Sequence, residues 1–180
     1  MTPRLLTERL VLDAPREEDA DAVLAICRDP EILRWVPLPS PFTREDAEFF
    51  VRSYGLHGET SGRYTVWAVR LRGTPTLLGA VELRRDDAAR SGSFGCWLAP
   101  GSRGHGYMRE AVAAVCRYAF SPAGPGFEQL RWECLAGNDR SRRLAEAVGF
   151  AFDDRPRSVE FRGEQRPAVI GTLTRALPAV

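Results

Sequence analysis

The chain has 180 residues, 44% of them hydrophobic and 27% charged, with a formal net charge of +1 at pH 7. That length and apolar content suit one globular domain, residues 1–180, with a sizeable core, and a net charge near zero gives no bulk reason to expect a nucleic-acid partner. The sequence contains no lysine, which excludes Schiff-base lysine chemistry and the Walker A phosphate loop.

Leu10 to Ala14 reads as an edge strand. Glu17 to Arg28 carries Ala20, Val23, Leu24 and Cys27 at helical spacing. Pro30 to Pro41 is a proline-rich connector, and Thr43 caps a second helix running to about Leu56, with Glu45 and Asp46 in its first turn. His57 is expected at the end of that helix. Tyr64–Arg70, Leu77–Arg84 and Ser93–Leu98 read as strands, the last two joined by a charged loop, Arg85 to Arg90. A glycine loop then opens a helix whose Met108, Ala111, Val112, Val115 and Ala119 share one face. Leu130–Leu135 is a strand, Ala136 to Phe150 reads as turn, N-cap, short amphipathic helix and Gly stop, and Ala151–Pro156 is a short extended stretch. Ser158–Arg162 and Pro167–Thr174 form a terminal hairpin. The pattern is α+β, a mixed, mainly antiparallel sheet of about seven strands with helices on both faces.

Cys27, Cys96, Cys116 and Cys134 form no C-x-x-C pair and sit inside expected elements, as buried free thiols do. No secretory signal pattern and no apolar run of membrane-spanning length is visible, so a cytoplasmic protein without a membrane partner is expected. No Ser/His/Asp order and no metal-ligand spacing is visible either, so no metal is expected.

The loop Arg103-Gly104-His105-Gly106-Tyr107-Met108 carries the chemistry. Amides at a helix N-terminus lack intrahelical partners and bear the positive end of the helix dipole, and glycines let an anion approach them. The loop is therefore a candidate cradle for a phosphate or pyrophosphate; a plain glycine turn is the other reading of the same residues. It lacks the third glycine of a dinucleotide fingerprint, since Arg109 stands there.

Arg103-x-x-Gly106 resembles the pyrophosphate motif of the GNAT N-acetyltransferase family, with Met108 where that family usually has a small residue. Asn138-x-x-Ser141 before a Gly-Phe stop is similar to the family's second coenzyme A element, and Thr7-Glu8-Arg9-Leu10 and Asp29-Pro30-Glu31 resemble its RimJ/RimL-like branch. The resemblance implies a sheet splayed between its fourth and fifth strands, here Ser93–Leu98 and Leu130–Leu135. It implies acetyl-CoA as acyl donor, with pantetheine pairing to the backbone of Trp97, Leu98 and Ala99 and pyrophosphate on Arg103 to Met108, including His105 and Tyr107. It also implies Asn138 as an amide partner and Ser141 as a donor to the departing thiolate, a helix cap being the alternative for each. The glutamate common on the fourth strand is replaced by Ser93, and the tyrosine common in the last helix by Ala145. Glu82 and Glu133 remain as candidate bases, although either equally suits a solvated strand position. Trp35, Phe42 and Tyr54 are candidates for an acceptor pocket or for core. The implied activity is acetyl transfer to a primary amine, either a protein N-terminus or a small molecule, and a homodimer is compatible with it. A non-catalytic acyl-CoA-binding or regulatory domain and a nucleotide-binding module are the competing readings.

Overall fold

The computed structural model describes residues 2–86, 90–153 and 155–175. Nine strands form one sheet: β1 (Leu5–Leu6), β2 (Leu10–Asp13), β3 (Tyr64–Leu71), β4 (Leu77–Arg85), β5 (Ser91–Leu98), β6 (Gln129–Leu135), β7 (Ala151–Phe152), β8 (Arg157–Phe161) and β9 (Glu164–Thr174). The order is β1-β2-β3-β4-β5-β6-β9-β7, with β8 also paired to β9. All neighbours are antiparallel except β5 and β6.

The two strands beyond the expected seven are the two-residue β1 and β7, too short to show an alternation. Because β1 pairs along the outer side of β2, Leu10–Asp13 is not the sheet edge. Of the expected loop Arg85 to Arg90, residues 87–89 lie outside the described residues, as does residue 154 of the expected stretch Ala151–Pro156.

Helices cover both faces. α5 (Tyr107–Phe120) and α6 (Asp139–Val148) lie on one, over a core that includes Leu10, Leu12, Trp67, Val81, Val112, Val115, Leu130 and Trp132. α1 (Ala20–Cys27), α2 (Pro30–Trp35) and α3 (Arg44–Phe49) lie on the other, with Val23, Ile32, Phe42, Ala47, Ala68, Ala80 and Trp97 between them and the sheet. Both faces of β3 and β4 are buried, which is why these strands read as continuous apolar runs. No helix among the described residues is long and apolar enough to cross a membrane.

Three elements depart from the expected pattern. Pro30–Trp35 is a helix, not a connector: Asp29 Oδ1 accepts the Ile32 amide at 3.1 Å and Pro30 takes the first helical position, where its missing N–H costs nothing. Thr43 does cap α3, through a reciprocal box with Asp46. That helix then widens into a π-helical stretch, Phe50–Tyr54, and continues as α4 (Gly55–Ser61). His57 consequently lies within α4 rather than at a helix end. The first helix also begins later than expected, after a 3-10 turn at Glu17–Asp19.

Candidate active site

β5 and β6 pair at only three positions, Ser91 with Gln129, Gly92 with Leu130 and Ser93 with Arg131. Beyond these, β5 stays paired to β4 as far as Leu98, and β6 to β9 as far as Leu135. A gap therefore opens between Phe94–Leu98 and Trp132–Leu135. Asp86 clasps its apex, accepting from Ser91 Oγ at 3.0 Å and Ser93 Oγ at 2.7 Å with Arg131 at 3.7 Å. On the α5/α6 face, Phe94 stacks on Trp132 at 5.6 Å and Phe150 meets both edge-on.

The Ala99 amide donates to Leu78 O at 2.8 Å. Antiparallel alternation then turns the Trp97 backbone toward β4 as well, and aims the N–H groups of Leu98 and Cys96 into the gap. Of the three backbone positions expected to meet a ligand, Leu98 faces the gap; Trp97 and Ala99 are engaged by β4, and Cys96 takes their place.

The gap leads to the glycine loop. Gly104 (φ 83°) and Gly106 (φ 76°) both adopt left-handed backbone that side-chain-bearing residues avoid, and Gly106 is the N-cap of α5. A Cβ on Gly104 would meet nothing within 4 Å, and one on Gly106 only the Arg9 guanidinium. The open space lies against the unpaired first-turn amides of α5. Arg9 braces the loop from behind: Nη1 donates to His105 O at 3.0 Å, Nε pairs with Glu110 at 2.6 Å, and the guanidinium lies over Tyr107, whose ring also stacks on His105. Burial alone would raise the Glu110 carboxyl, but donors from Thr7 and Arg9 hold it below its ordinary value. The Arg103 guanidinium is committed elsewhere, to Leu98 O at 3.3 Å and Asp29 Oδ1 at 2.9 Å.

Glu82 points to the face covered by α1–α4. Its Oε1 accepts from Arg84 Nε at 2.6 Å and its Oε2 from the Tyr54 hydroxyl at 3.1 Å. Burial, then the charge of Glu82, pushes the Tyr54 phenol up, so it remains a donor. Glu82 forms part of the wall of a cavity of about 220 Å3 that also includes Phe42, Phe50, Tyr54 and Trp97. Glu133, two strands away on β6, is exposed.

Ser141 lies on the other face, half-buried. Its Oγ accepts the Trp132 indole N–H at 2.9 Å, and its backbone N–H is capped by Asn138 Oδ1 at 3.2 Å. The hydroxyl also makes a hydrogen bond to the Cys134 thiol. Burial pushes the Cys27, Cys96 and Cys116 thiols up to about 12, and raises Cys134 too, so none is poised as a thiolate. Among the described residues, no group of three or more His, Cys, Asp or Glu is placed to hold a metal ion.

A sequence model described as the acetyltransferase (GNAT) domain matches residues 9–151. The chain belongs to the GNAT acetyltransferase family. It is 26% identical over 152 residues to the uncharacterized N-acetyltransferase YoaA of Bacillus subtilis, covering 83% of this chain and 84% of that one. Its fold is similar to that of a GNAT acetyltransferase from Bacillus anthracis (TM-score 0.79, 20% identity, 96% and 98% coverage). It is also similar to RimL, an acetyltransferase of the ribosomal L7/L12 α-amino group solved with coenzyme A (TM-score 0.80, 13% identity, 96% and 98% coverage).

Within this GNAT fold the sequence-predicted residues separate into three groups. Gly104, His105, Gly106, Tyr107 and Leu98 gather along the gap and its loop. Met108 is buried in the core beneath that loop, 7% exposed, so it supplies packing while its backbone opens α5. Glu82 and Ser141 lie on opposite faces of the sheet. Four residues to which sequence reasoning assigned no role at the site hold these in place: Arg84 on Glu82, Trp132 on Ser141, Asp86 at the apex, and Asp29 on Arg103. Asp29 alone stood out in the sequence, as part of the Asp29-Pro30-Glu31 resemblance, and the helix it starts lies in the expected connector. Arg84 lies two residues from Glu82 on the same strand, Trp132 meets Ser141 from strand to helix, and Asp86 reaches back to β5 from the end of β4. Phe42 and Tyr54 belong to the cavity wall, whereas Trp35 sits outside it, with its ring 3.8 Å from where a Cβ of Gly137 would be.

Proposed function

We propose that this GNAT enzyme transfers the acetyl group of acetyl-CoA to a primary amine that approaches from the α1–α4 face. The observation that carries the reading is the parting of β5 and β6 after three pairs, with free Cys96 and Leu98 amides leading directly to the Gly104–Gly106 loop. The residues fit the donor: the cradle has room that any Cβ would fill, and coenzyme A is bound by RimL, of the same fold.

Acetyl-CoA supplies an activated acyl carbon, and the protein's task is to hold an uncharged amine against it. Such positioning alone contributes on the order of 7–11 kcal/mol at best. The Leu98 N–H is aimed where negative charge builds on the acyl oxygen. Glu82 accepts the proton lost by the amine, directly or through one water, using the lone pairs that Arg84 and Tyr54 leave free. The Ser141 hydroxyl, aligned by Trp132, turns from Cys134 to give a hydrogen bond to the departing thiolate, which takes its proton from solvent. With Ser93 standing where a base is common, an acceptor that gives up its own proton readily is the easier substrate. An α-amino group at about 8 loses its proton more readily than a lysine-like amine at about 10.4. Ser93 contributes no base, because its hydroxyl donates to Asp86.

The test is acetyl-CoA incubated with a panel of amines and N-terminal peptides, read as released thiol, beside calorimetry with coenzyme A, ATP and NAD. Coenzyme A binding with amine-dependent thiol release is expected. Coenzyme A binding with no turnover on any amine favours a regulatory domain, and preferential binding of ATP or NAD refutes the donor assignment.

A further inference from the structure

The cavity beside Glu82 has a composition that constrains the acceptor. Its wall is apolar: Val36, Leu38, Phe42, Phe49, Phe50 and Trp97 supply most of it. Three charged residues also border it, Asp46, Glu82 and Arg84, and each is already engaged within the protein. The Asp46 carboxylate accepts from the Thr43 backbone and hydroxyl at 2.8 and 2.7 Å, and Glu82 and Arg84 are bound to each other. A charged or polyhydroxylated acceptor body would lose water there and find few partners, which is unfavourable, whereas an apolar body gains from leaving water.

The aromatic wall depends on the π-helical stretch. In a regular α-helix, residues five apart point to different sides. Here Phe49 and Tyr54, five apart, bring their ring centroids to 6.1 Å, and Phe50 packs at 6.0 Å from Tyr54 and 5.8 Å from Trp97. The widened turn thus directs three rings toward one space. Phe49, at the rim, is 53% exposed although it is a large apolar side chain. At about 220 Å3 the cavity is smaller than the roughly 300–1,000 Å3 that encloses a drug-sized ligand, so it holds one ring or branched chain and not a whole large metabolite.

We infer that the acceptor is a primary amine whose carbon body is a single aromatic ring or branched aliphatic group, seated among Phe49, Phe50, Leu38 and Trp97 with its nitrogen toward Glu82. This inference rests on the acetyl-transfer reading above and names its substrate class.

The experiment compares 2-phenylethylamine and isoamylamine with ethanolamine and spermidine as acceptors, with acetyl-CoA saturating. The value of kcat/KM for the two apolar amines should exceed that for the polar amines by about tenfold or more, the discrimination an apolar pocket gives. In Leu38→Asp and Phe49→Ser the advantage should disappear through KM, with the affinity for coenzyme A unchanged by calorimetry. Turnover with equal or reversed preference overturns the inference while leaving acetyl transfer intact. If no amine is acetylated, the transfer reading fails. Direct binding of N-acetyl-2-phenylethylamine then decides the cavity: heat of binding that Leu38→Asp abolishes supports it, and no heat overturns it.

Discussion

Arg103 and Asp29 are joined across 74 residues of chain: the arginine Nη2 donates to Asp29 Oδ1 at 2.9 Å, and the same oxygen accepts the Ile32 amide that starts α2. The glycine loop is thereby tied to the helix that leads into Val36 and Leu38 on the cavity wall. Asp29→Ala removes both bonds and should lower stability by about 1 kcal/mol, the usual worth of an N-cap. It should also raise KM for acetyl-CoA and for the amine together. Asp29→Asn keeps a capping oxygen, so its melting temperature should stay nearer the parent while the KM values still rise. Steady-state kinetics and thermal melts on the two variants check this.

Replacing Gly106 tests the cradle. Gly106→Val places a β-branched residue at φ 76° and a side chain where backbone faces the anion. Backbone strain of about 1–3 kcal/mol is expected, with coenzyme A affinity falling at least tenfold in a protein that still folds. Arg103→Ala should weaken binding less, because its guanidinium is held by Asp29 and Leu98 O. Calorimetry alongside circular dichroism separates the two effects, and parental affinity in a folded Gly106→Val protein refutes the cradle.

The two candidate bases should differ. Glu82 is held at the cavity and Glu133 is exposed, so Glu82→Gln should lower kcat/KM about 10- to 100-fold, roughly 1.4–2.7 kcal/mol, while Glu133→Gln stays within about twofold. Because only the neutral amine attacks, the rate should rise with pH through the acceptor's own pKa. A thousandfold loss in Glu133→Gln, about 4 kcal/mol, would reverse the assignment.

Ser141 and Asn138 are separable for a geometric reason. The cap on α6 uses the backbone N–H of Ser141, not its hydroxyl. Ser141→Ala therefore keeps the cap and should lower turnover, at a stability cost of about 1–3 kcal/mol for the orphaned Trp132 indole. Asn138→Ala loses the cap, about 0.5–2 kcal/mol; a change in melting temperature with unaltered KM for acetyl-CoA would leave it a cap only. Full turnover in Ser141→Ala would remove it from the chemistry.

Acid stability should report the Glu110 brace. Its carboxyl is held low in the folded protein, so the stabilisation is complete above the unfolded value of about 4.3 and is lost as pH falls through the lower folded value. Between pH 5 and 8 it is constant. Glu110→Gln should flatten the fall in melting temperature below about pH 4.

The fold was legible where periodicity and local chemistry agree: the α5 stripe from Met108 to Ala119, the Thr43 cap, the terminal hairpin. Two-residue strands such as β1 have no period to detect, and the π stretch is a deviation from regular spacing that regular patterns conceal. At the site, the glycine loop was legible because its backbone chemistry is local. The Tyr54 partner of Glu82, the Trp132 partner of Ser141 and the Asp29 partner of Arg103 were not, since each is brought in by packing between separate elements. Arg103 shows the limit: its residue type suits an anion, yet Asp29 claims the side chain.

The aromatic trio Phe94, Trp132 and Phe150 has a thermodynamic consequence. Because these buried rings bridge β5 and β6 on the α5/α6 face while Asp86 joins the strands at the apex, the angle between the two strands belongs to the packed core. A long flexible donor meets a slot already open at its working width, so the ordering cost of binding falls on the ligand and not on the sheet. The affinity of this enzyme for its donor is then set by the ligand's own flexibility, and a donor analogue stiffened in extended form should bind more tightly for that reason alone.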